Sequence, residues 1–475
     1  MSVVPDERTG VRLLWGAAAG AAAAFVLIWA WVAAMPLAFL DPEYAFWQAK
    51  QAMLRNCDLG EVLVLGDSRA AAGIRVTDLP VRATNLAVGG GKPVEAFAAL
   101  NRALACPRLP QRVVLSFDAI HFSRSDLFWE RAVRFGFLDA EDLSQLRGTA
   151  RASGDHSLYD QQRFSGLPQL VRDWLYLARF PGLYVGSLLQ GGFLMRLPGN
   201  QVALAQGMAS RGQYYFGTAE GSGVVTVEGH MPGFTAAPVL DRYFDRILAT
   251  LERRGLPVDF VPMPINSETA RVVAPALRAG FRAYLGRYEA RYPGFHVLGV
   301  TMPAWPDRLF GDMFAHLNPR GAAFFTAELG ECLAVRLRDS ATSCRFEWPP
   351  GGRHAQAVSA DDWDPPISVR SNDDRARFQS VAVRGEDERA AGMAMAGRPD
   401  GDQGTASSLS SESSGGADQP AGLRMAAGRA DHVITAPSAR STHVARNTGR
   451  IPNCPPMKPP TSGPTTWPTY CDDVE

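Results

Sequence analysis

Ser68 ends an apolar run. In VLVLGDSRAAAGI, residues 62–74, strand-like residues stop at Gly66-Asp67-Ser68, and the small residues beyond suit the start of a helix. A serine in that place is open to two readings. It is a nucleophile at the carboxyl end of a strand, or a hydroxyl capping the free amides of the next helix. A nucleophilic serine needs a base to take its proton, and the base needs a group that fixes its tautomer. Among the eight histidines, His121, His156, His230 and His296 have no acid at a telling spacing, although His121 follows a strand-like run. His316 differs: in GDMFAHLNPRG, residues 311–321, Asp312 lies four positions before it, so a loop or one helical turn joins carboxylate and ring. By themselves Asp312 and His316 also suit a surface turn that caps the last helix.

These groups need elements to hold them. Five short apolar runs, at 61–67, 83–88, 112–118, 257–263 and 295–300, have the unbroken apolar character of strands covered on both faces. Helical patterns lie between them at 93–105, 239–255 and 267–290, and a last one at 318–337 opens on Asn318 as cap and Pro319 at the first helical position. The alternation predicts an α/β fold, a doubly wound parallel five-stranded sheet. Ligands of such sheets bind beyond the carboxyl ends of the strands, where Ser68 falls. One connection is far too long for an ordinary crossover. Residues 122–235, rich in aromatics, are expected to form a mostly helical insert or cap whose aromatic residues serve packing.

Together, Gly66-Asp67-Ser68 and Asp312-Met313-Phe314-Ala315-His316 resemble the paired motifs of the SGNH (GDSL-type) hydrolase superfamily, in the same order, over roughly residues 58–338. HLNPRGA also resembles a motif of its membrane-tethered, polysaccharide-acting members. The resemblance implies a Ser68–His316–Asp312 triad. It further implies an oxyanion site in TNLAVGGGKP, where Gly90 stands five residues after Asn85, with Gly89 as a substitute. The Ser68 N–H would be the second donor, and a glycine-rich turn lets such an amide approach substrate closely. The third strand departs from the pattern. Where many members carry a donating Asn, this chain has LSFDAIH, residues 115–121, and an ionised Asp118 cannot donate. The missing donor is open between Ser116, His121 and a residue of the insert.

The ends of the chain differ from its middle. From Leu13 to Leu40 there is no charge, with Arg8 and Arg12 before and Asp41 and Glu43 after. This reads as a membrane anchor over 13–40, with 1–12 cytoplasmic and the rest outside. A cleaved signal peptide is the alternative, though its apolar stretch is usually ~7–15 residues. From about residue 345 to 475 apolar periodicity gives way to Gly, Pro and Ser, as expected of a disordered tail or of an altered reading frame. That leaves 55–340 as the catalytic domain. The 475 residues carry 48 basic and 48 acidic side chains, so no basic excess points to nucleic acid. Six cysteines lack metal-ligand spacing. Cys57 and Cys106 are a candidate disulfide in an oxidising compartment, while Cys332 reads as a small core residue. No phosphate loop, dinucleotide fingerprint or metal cluster implies a cofactor.

The expected activity is acyl handling outside the cytoplasmic membrane, in the periplasm: O-acetylation of an exported polysaccharide through an acyl-serine. A membrane-bound acyltransferase is the donor that the resemblance suggests. Deacetylation by the same residues is the alternative, and an inactive polysaccharide-binding or secretion scaffold is a second.

Overall fold

The computed structural model describes residues 7–339, other than 125, 184 and 193, together with 342 and 344. The tail expected at 345–475 lies outside the described residues. Seven strands occur among them: β1 (Val62–Gly66), β2 (Ala83–Asn85), β3 (Arg112–Ser116), β4 (Val258–Phe260), β5 (Ile265–Asn266), β6 (Phe295–Val297) and β7 (Ala304–Trp305). Five form one sheet in the order β2-β1-β3-β4-β6, every pair parallel; β5 and β7 form a small parallel pair of their own. The five expected strands are therefore present, each shorter than its apolar run.

Alternate side chains of β1 and β3 enter two cores. Leu63, Leu65, Val113 and Leu115 join one cluster, whereas Val62, Val64 and Val114 join the other. Helices Pro93–Leu104, Pro238–Arg253 and Pro275–Arg291 close the first face, and Ser68–Gly73 with Pro319–Arg336 close the second. The helical pattern at 267–290 is divided in two, because Pro275 lacks an N–H and starts a fresh helix after Ser267–Val272. In register, Gly66 lies opposite Ser116. The residues that leave β1 and β3, among them Asp67 and Asp118, therefore emerge side by side.

The N-terminal helix runs from Glu7 to Ala34, and its stretch Gly10–Ala34 is long and apolar enough to cross a membrane. It ends earlier than the apolar composition suggested. Pro36 opens a separate short helix, Pro36–Phe39, and Ala38, Phe39 and Leu40 are buried in the domain. The helix thus ends six residues before the end of the uncharged stretch at Leu40.

The insert is helical up to residue 209, chiefly at Ala140–Ser153, Gln169–Leu177, Val185–Gly191 and Leu197–Ala209. The last of these lies along the Glu43–Arg55 helix at close range: a Cβ on Gly207 would stand 2.9 Å from that of Ala49. Residues 210–237 return as irregular chain with a single short turn, Val227–His230, and reach the carboxyl end of the sheet. The insert is thus mostly helical, as expected, with an irregular return over its last quarter.

Cys57 and Cys106 form a disulfide, and so do Cys332 and Cys344, which revises the reading of Cys332 as an unpaired core residue. The Cys57–Cys106 bridge spans 49 residues and ties the end of the Glu43–Arg55 helix to the chain after Pro93–Leu104. Closing a loop of that length is worth up to about 4 kcal/mol through the unfolded chain. Replacing both cysteines by serine is expected to lower the urea-unfolding free energy by about 2–4 kcal/mol, measured against the oxidised protein.

Candidate active site

Asp67, not Ser68, caps the helix that follows β1. Its carboxylate accepts from the amides of Arg69 at 2.9 Å and Ala70 at 3.4 Å. Ser68 is the first helical residue, partly buried, and its hydroxyl makes no hydrogen bond among the described residues. The capping reading of Ser68 is thereby removed. Asn85, at the end of β2, fixes the same helix by donating from Nδ2 to Ala70 O at 3.0 Å and Ile74 O at 3.1 Å.

Asp312 and His316 are joined as their spacing suggested. His316 Nδ1 lies 2.5 Å from Asp312 Oδ2, while Oδ1 accepts from the amides of Phe314 at 2.9 Å and His316 at 3.1 Å. Burial works to raise the Asp312 pKa, but His316 and those amides outweigh it and hold the carboxyl below its ordinary range. An ionised Asp312 assigns the proton to Nδ1 and leaves Nε2 as a bare acceptor. Nε2 is buried and has no hydrogen-bond partner among the described residues. The loop does not merely cap the last helix; Asn318 does that, accepting from Gly321 N at 2.9 Å.

Ser68 and His316 lie on adjoining segments. Arg69 Nε donates to Phe314 O at 3.1 Å, so the residue after the serine is bonded to the loop that carries the histidine. Ser68 Oγ and His316 Nε2 are not themselves hydrogen-bonded. In a site without substrate such a bond is often long and tightens only with the reactants in place.

The glycine turn after β2 is held from behind. The Tyr214 hydroxyl donates to Glu43 Oε1 at 2.9 Å, and Arg131 pairs with the other Glu43 oxygen at 3.0 Å. The Gly90 N–H makes no hydrogen bond among the described residues. Gly90 has φ +65°, which disfavours any residue with a Cβ. Lys92 Nζ steadies the turn by donating to Gly90 O at 2.7 Å.

The end of β3 holds a cluster that no local spacing announced. Asp67 Oδ2 accepts from the Asp118 amide at 2.7 Å and lies 2.9 Å from His121 Nδ1, so His121 has an acid partner after all. Arg69 places Nε 2.8 Å from Asp118 Oδ2 and Nη2 2.8 Å from Glu228 Oε1, a residue of the returning insert. Ser116 is withdrawn as an oxyanion donor, because its hydroxyl donates to Val261 O at 2.7 Å. Single ligand atoms of Asp67, Asp118 and His121 come within 4.8 Å of one another. The Arg69 guanidinium already supplies the positive charge that a metal would bring there. Another insert residue, Phe216, stacks on the His316 ring at 4.3 Å.

Three buried acids around one arginine cannot all ionise freely. Burial opposes the charge on each. For Asp67 it is outweighed by His121 and hydrogen bonds, and for Glu228 by Arg69, so both lie below their usual range. Asp118 is pushed well above it, by burial first and by Asp67 and Glu228 after, despite Arg69. Of the three acids, Asp118 is therefore the one whose neutral form is favoured most. A raised folded-state pKa gives stability that is complete below the ordinary carboxylate pKa of about 3.9 and is lost as pH rises through the raised value. Asp118→Asn cannot ionise. Its stability relative to wild type is expected to increase from about pH 5 to about pH 8, by about 1.4 kcal/mol per unit of pKa elevation traversed, read from urea melts at both pH values. Equal pH dependence in the two proteins would place the proton elsewhere.

No protein-family profile, curated protein or solved structure matches this chain.

Proposed function

We propose that this protein is a membrane-anchored serine acyl-handling enzyme of the SGNH type, most simply an O-acetyltransferase that modifies an exported polysaccharide outside the cytoplasmic membrane. The observation that carries the reading is His316: its ring is oriented by an ionised Asp312, its other nitrogen is buried with no partner among the described residues, and its loop is bonded to the helix that starts with Ser68. The parallel strand order and the place of Ser68 beyond β1 support it as well.

In this mechanism His316 Nε2 takes the Ser68 hydroxyl proton as Oγ bonds to an acyl carbonyl carbon. The carbonyl electrons move onto oxygen, where the amides of Ser68 and Gly90 stabilise the charge; one such donor is worth about 10²–10³ in rate. Collapse expels the donor's leaving group, which takes the proton from His316 and leaves an acyl-serine. A sugar hydroxyl then gives its proton to Nε2, attacks the acyl-serine and departs with the acyl group, while Ser68 regains the proton. Water in place of the sugar makes the same residues an esterase. The Glu7–Ala34 helix would hold the domain where a membrane-bound acyl donor could reach it.

The two outcomes differ in sign. Introducing Ser68→Ala in the producing cell is expected to lower the acetate content of the exported polymer. A rise in acetate would make the protein a deacetylase, and no change would remove this polymer from its substrates.

A further inference from the structure

Next to the N-terminal helix the insert presents an apolar surface that none of the described residues covers. Trp29, in the last turns of that helix, donates from Nε1 to Ala178 O at 2.8 Å and meets Trp174 and Phe180 edge-on at 5.5 and 5.2 Å; Phe180 in turn meets Phe164 at 6.1 Å. These bonds fix residues 164–180 to the end of the helix. On the Gln169–Leu177 helix, Leu170 and Trp174, one turn apart, are 66% and 54% exposed. Further on, Leu189 is 75% and Met195 79% exposed. The segment that contains Leu189 backs onto Phe39, just past the helix end: a Cβ on Gly191 would stand 3.2 Å from Phe39 Cα.

Charge points the same way. Between residues 161 and 202 the chain carries four arginines, Arg163, Arg172, Arg179 and Arg196, and one acid, Asp173. Asp173 is buried, accepting from Gln162 at 2.6 Å and pairing with Arg147 at 2.5 Å. Arg163 is exposed and meets Glu130 at 3.4 Å, and Arg172, Arg179 and Arg196 are half-exposed. An apolar surface that carries an exposed tryptophan and an excess of arginine over acid has the composition of a membrane-interface element.

We propose that the Gln169–Leu177 helix and the chain around Leu189 and Met195 lie in the lipid interface beside the anchor, with Leu170, Trp174, Leu189 and Met195 among the acyl chains and arginines at the phosphates. The inference rests on the reading of Glu7–Ala34 as a membrane anchor. The insert thereby fixes the tilt of the domain, and with it the height of Ser68 above the bilayer.

The test uses the full chain in vesicles of phosphatidylethanolamine and phosphatidylglycerol. Leu170→Cys or Leu189→Cys, each in a Cys454→Ser, Cys471→Ser background, carries an environment-sensitive fluorophore, with Glu252→Cys, exposed on the Pro238–Arg253 helix, as comparison. The expected result is several-fold stronger quenching at positions 170 and 189 by acyl-chain doxyl lipids than at 252, and weaker quenching by aqueous iodide. Quenching by iodide alone overturns the proposal. So does shielding from both quenchers, which would mean that protein covers the surface. An alkaline carbonate wash separates the two readings: a chain that washes off has no anchor, and both readings fail together. A chain that stays while iodide reaches its probes keeps the anchor and loses the interface.

Discussion

Ser68→Ala is expected to abolish covalent labelling by a fluorophosphonate and to lower acyl turnover by about 10⁴-fold or more, with the unfolding midpoint unchanged. The two halves of that result come from one structural fact. The carboxylate of Asp67 caps the Ser68–Gly73 helix, and the Ser68 hydroxyl has no bond to lose. Alanine is a good residue in the first turn of a helix, so truncation there stays within the ordinary range of surface changes, about 0.5 kcal/mol. Asp67→Ala is the contrasting variant. It removes a cap worth about 1 kcal/mol and also strands the buried Asp118 amide and the His121 ring. A cap at Ser68 would reverse this ranking of stabilities. His316→Ala must abolish labelling too, since an unassisted serine hydroxyl is a weak nucleophile. Labelling that survives His316→Ala would assign the base to another residue, His121 being nearest in sequence to the cluster around Asp67.

How much of this was legible beforehand depended on distance along the chain. Asp312 and His316 are four residues apart, and one turn of loop completes their bond, so spacing alone revealed it. The strands were legible because β1 and β3 are buried on both faces and read as unbroken apolar runs. The identity of the cap was not, because Asp and Ser are about equally good caps and stand side by side in Gly-Asp-Ser. Nor was the partner of His121. Asp67 precedes it by 54 positions, and only the parallel register of β1 with β3 makes them neighbours. Glu228, Tyr214, Phe216 and Arg131 belong to an insert whose composition reads as packing. Their contributions follow from where the irregular chain at 210–237 and the turn at Trp129–Val133 come to rest, which no periodicity encodes. The second disulfide was missed because Cys332 has the small apolar character of a core residue and its partner lies beyond the helix.

Arg69 should give the largest loss of stability of any single truncation near the site. Its side chain is buried, and it compensates Asp118 and Glu228 at 2.8 Å each while bonding Phe314 O. Removing one partner of a buried ion pair typically costs about 3–5 kcal/mol, because the remaining charge has neither water nor counterion. Arg69→Leu is expected to fall in that range in urea melts, and adding Glu228→Gln should recover a large part of the loss by deleting the stranded charge. That recovery distinguishes electrostatic compensation from packing, since packing lost with the arginine stem would not return. Arg69→Lys separates a further role. Lysine keeps the charge but lacks the planar fork that reaches Asp118, Glu228 and Phe314 O at once. The loop bearing His316 is bonded to the Ser68 helix through Phe314 O, so the lysine variant should retain much of the stability and lose labelling rate. A rate equal to wild type in Arg69→Lys would mean that the loop keeps His316 in place without this bond, and that Arg69 serves the charge balance of Asp67, Asp118 and Glu228 alone.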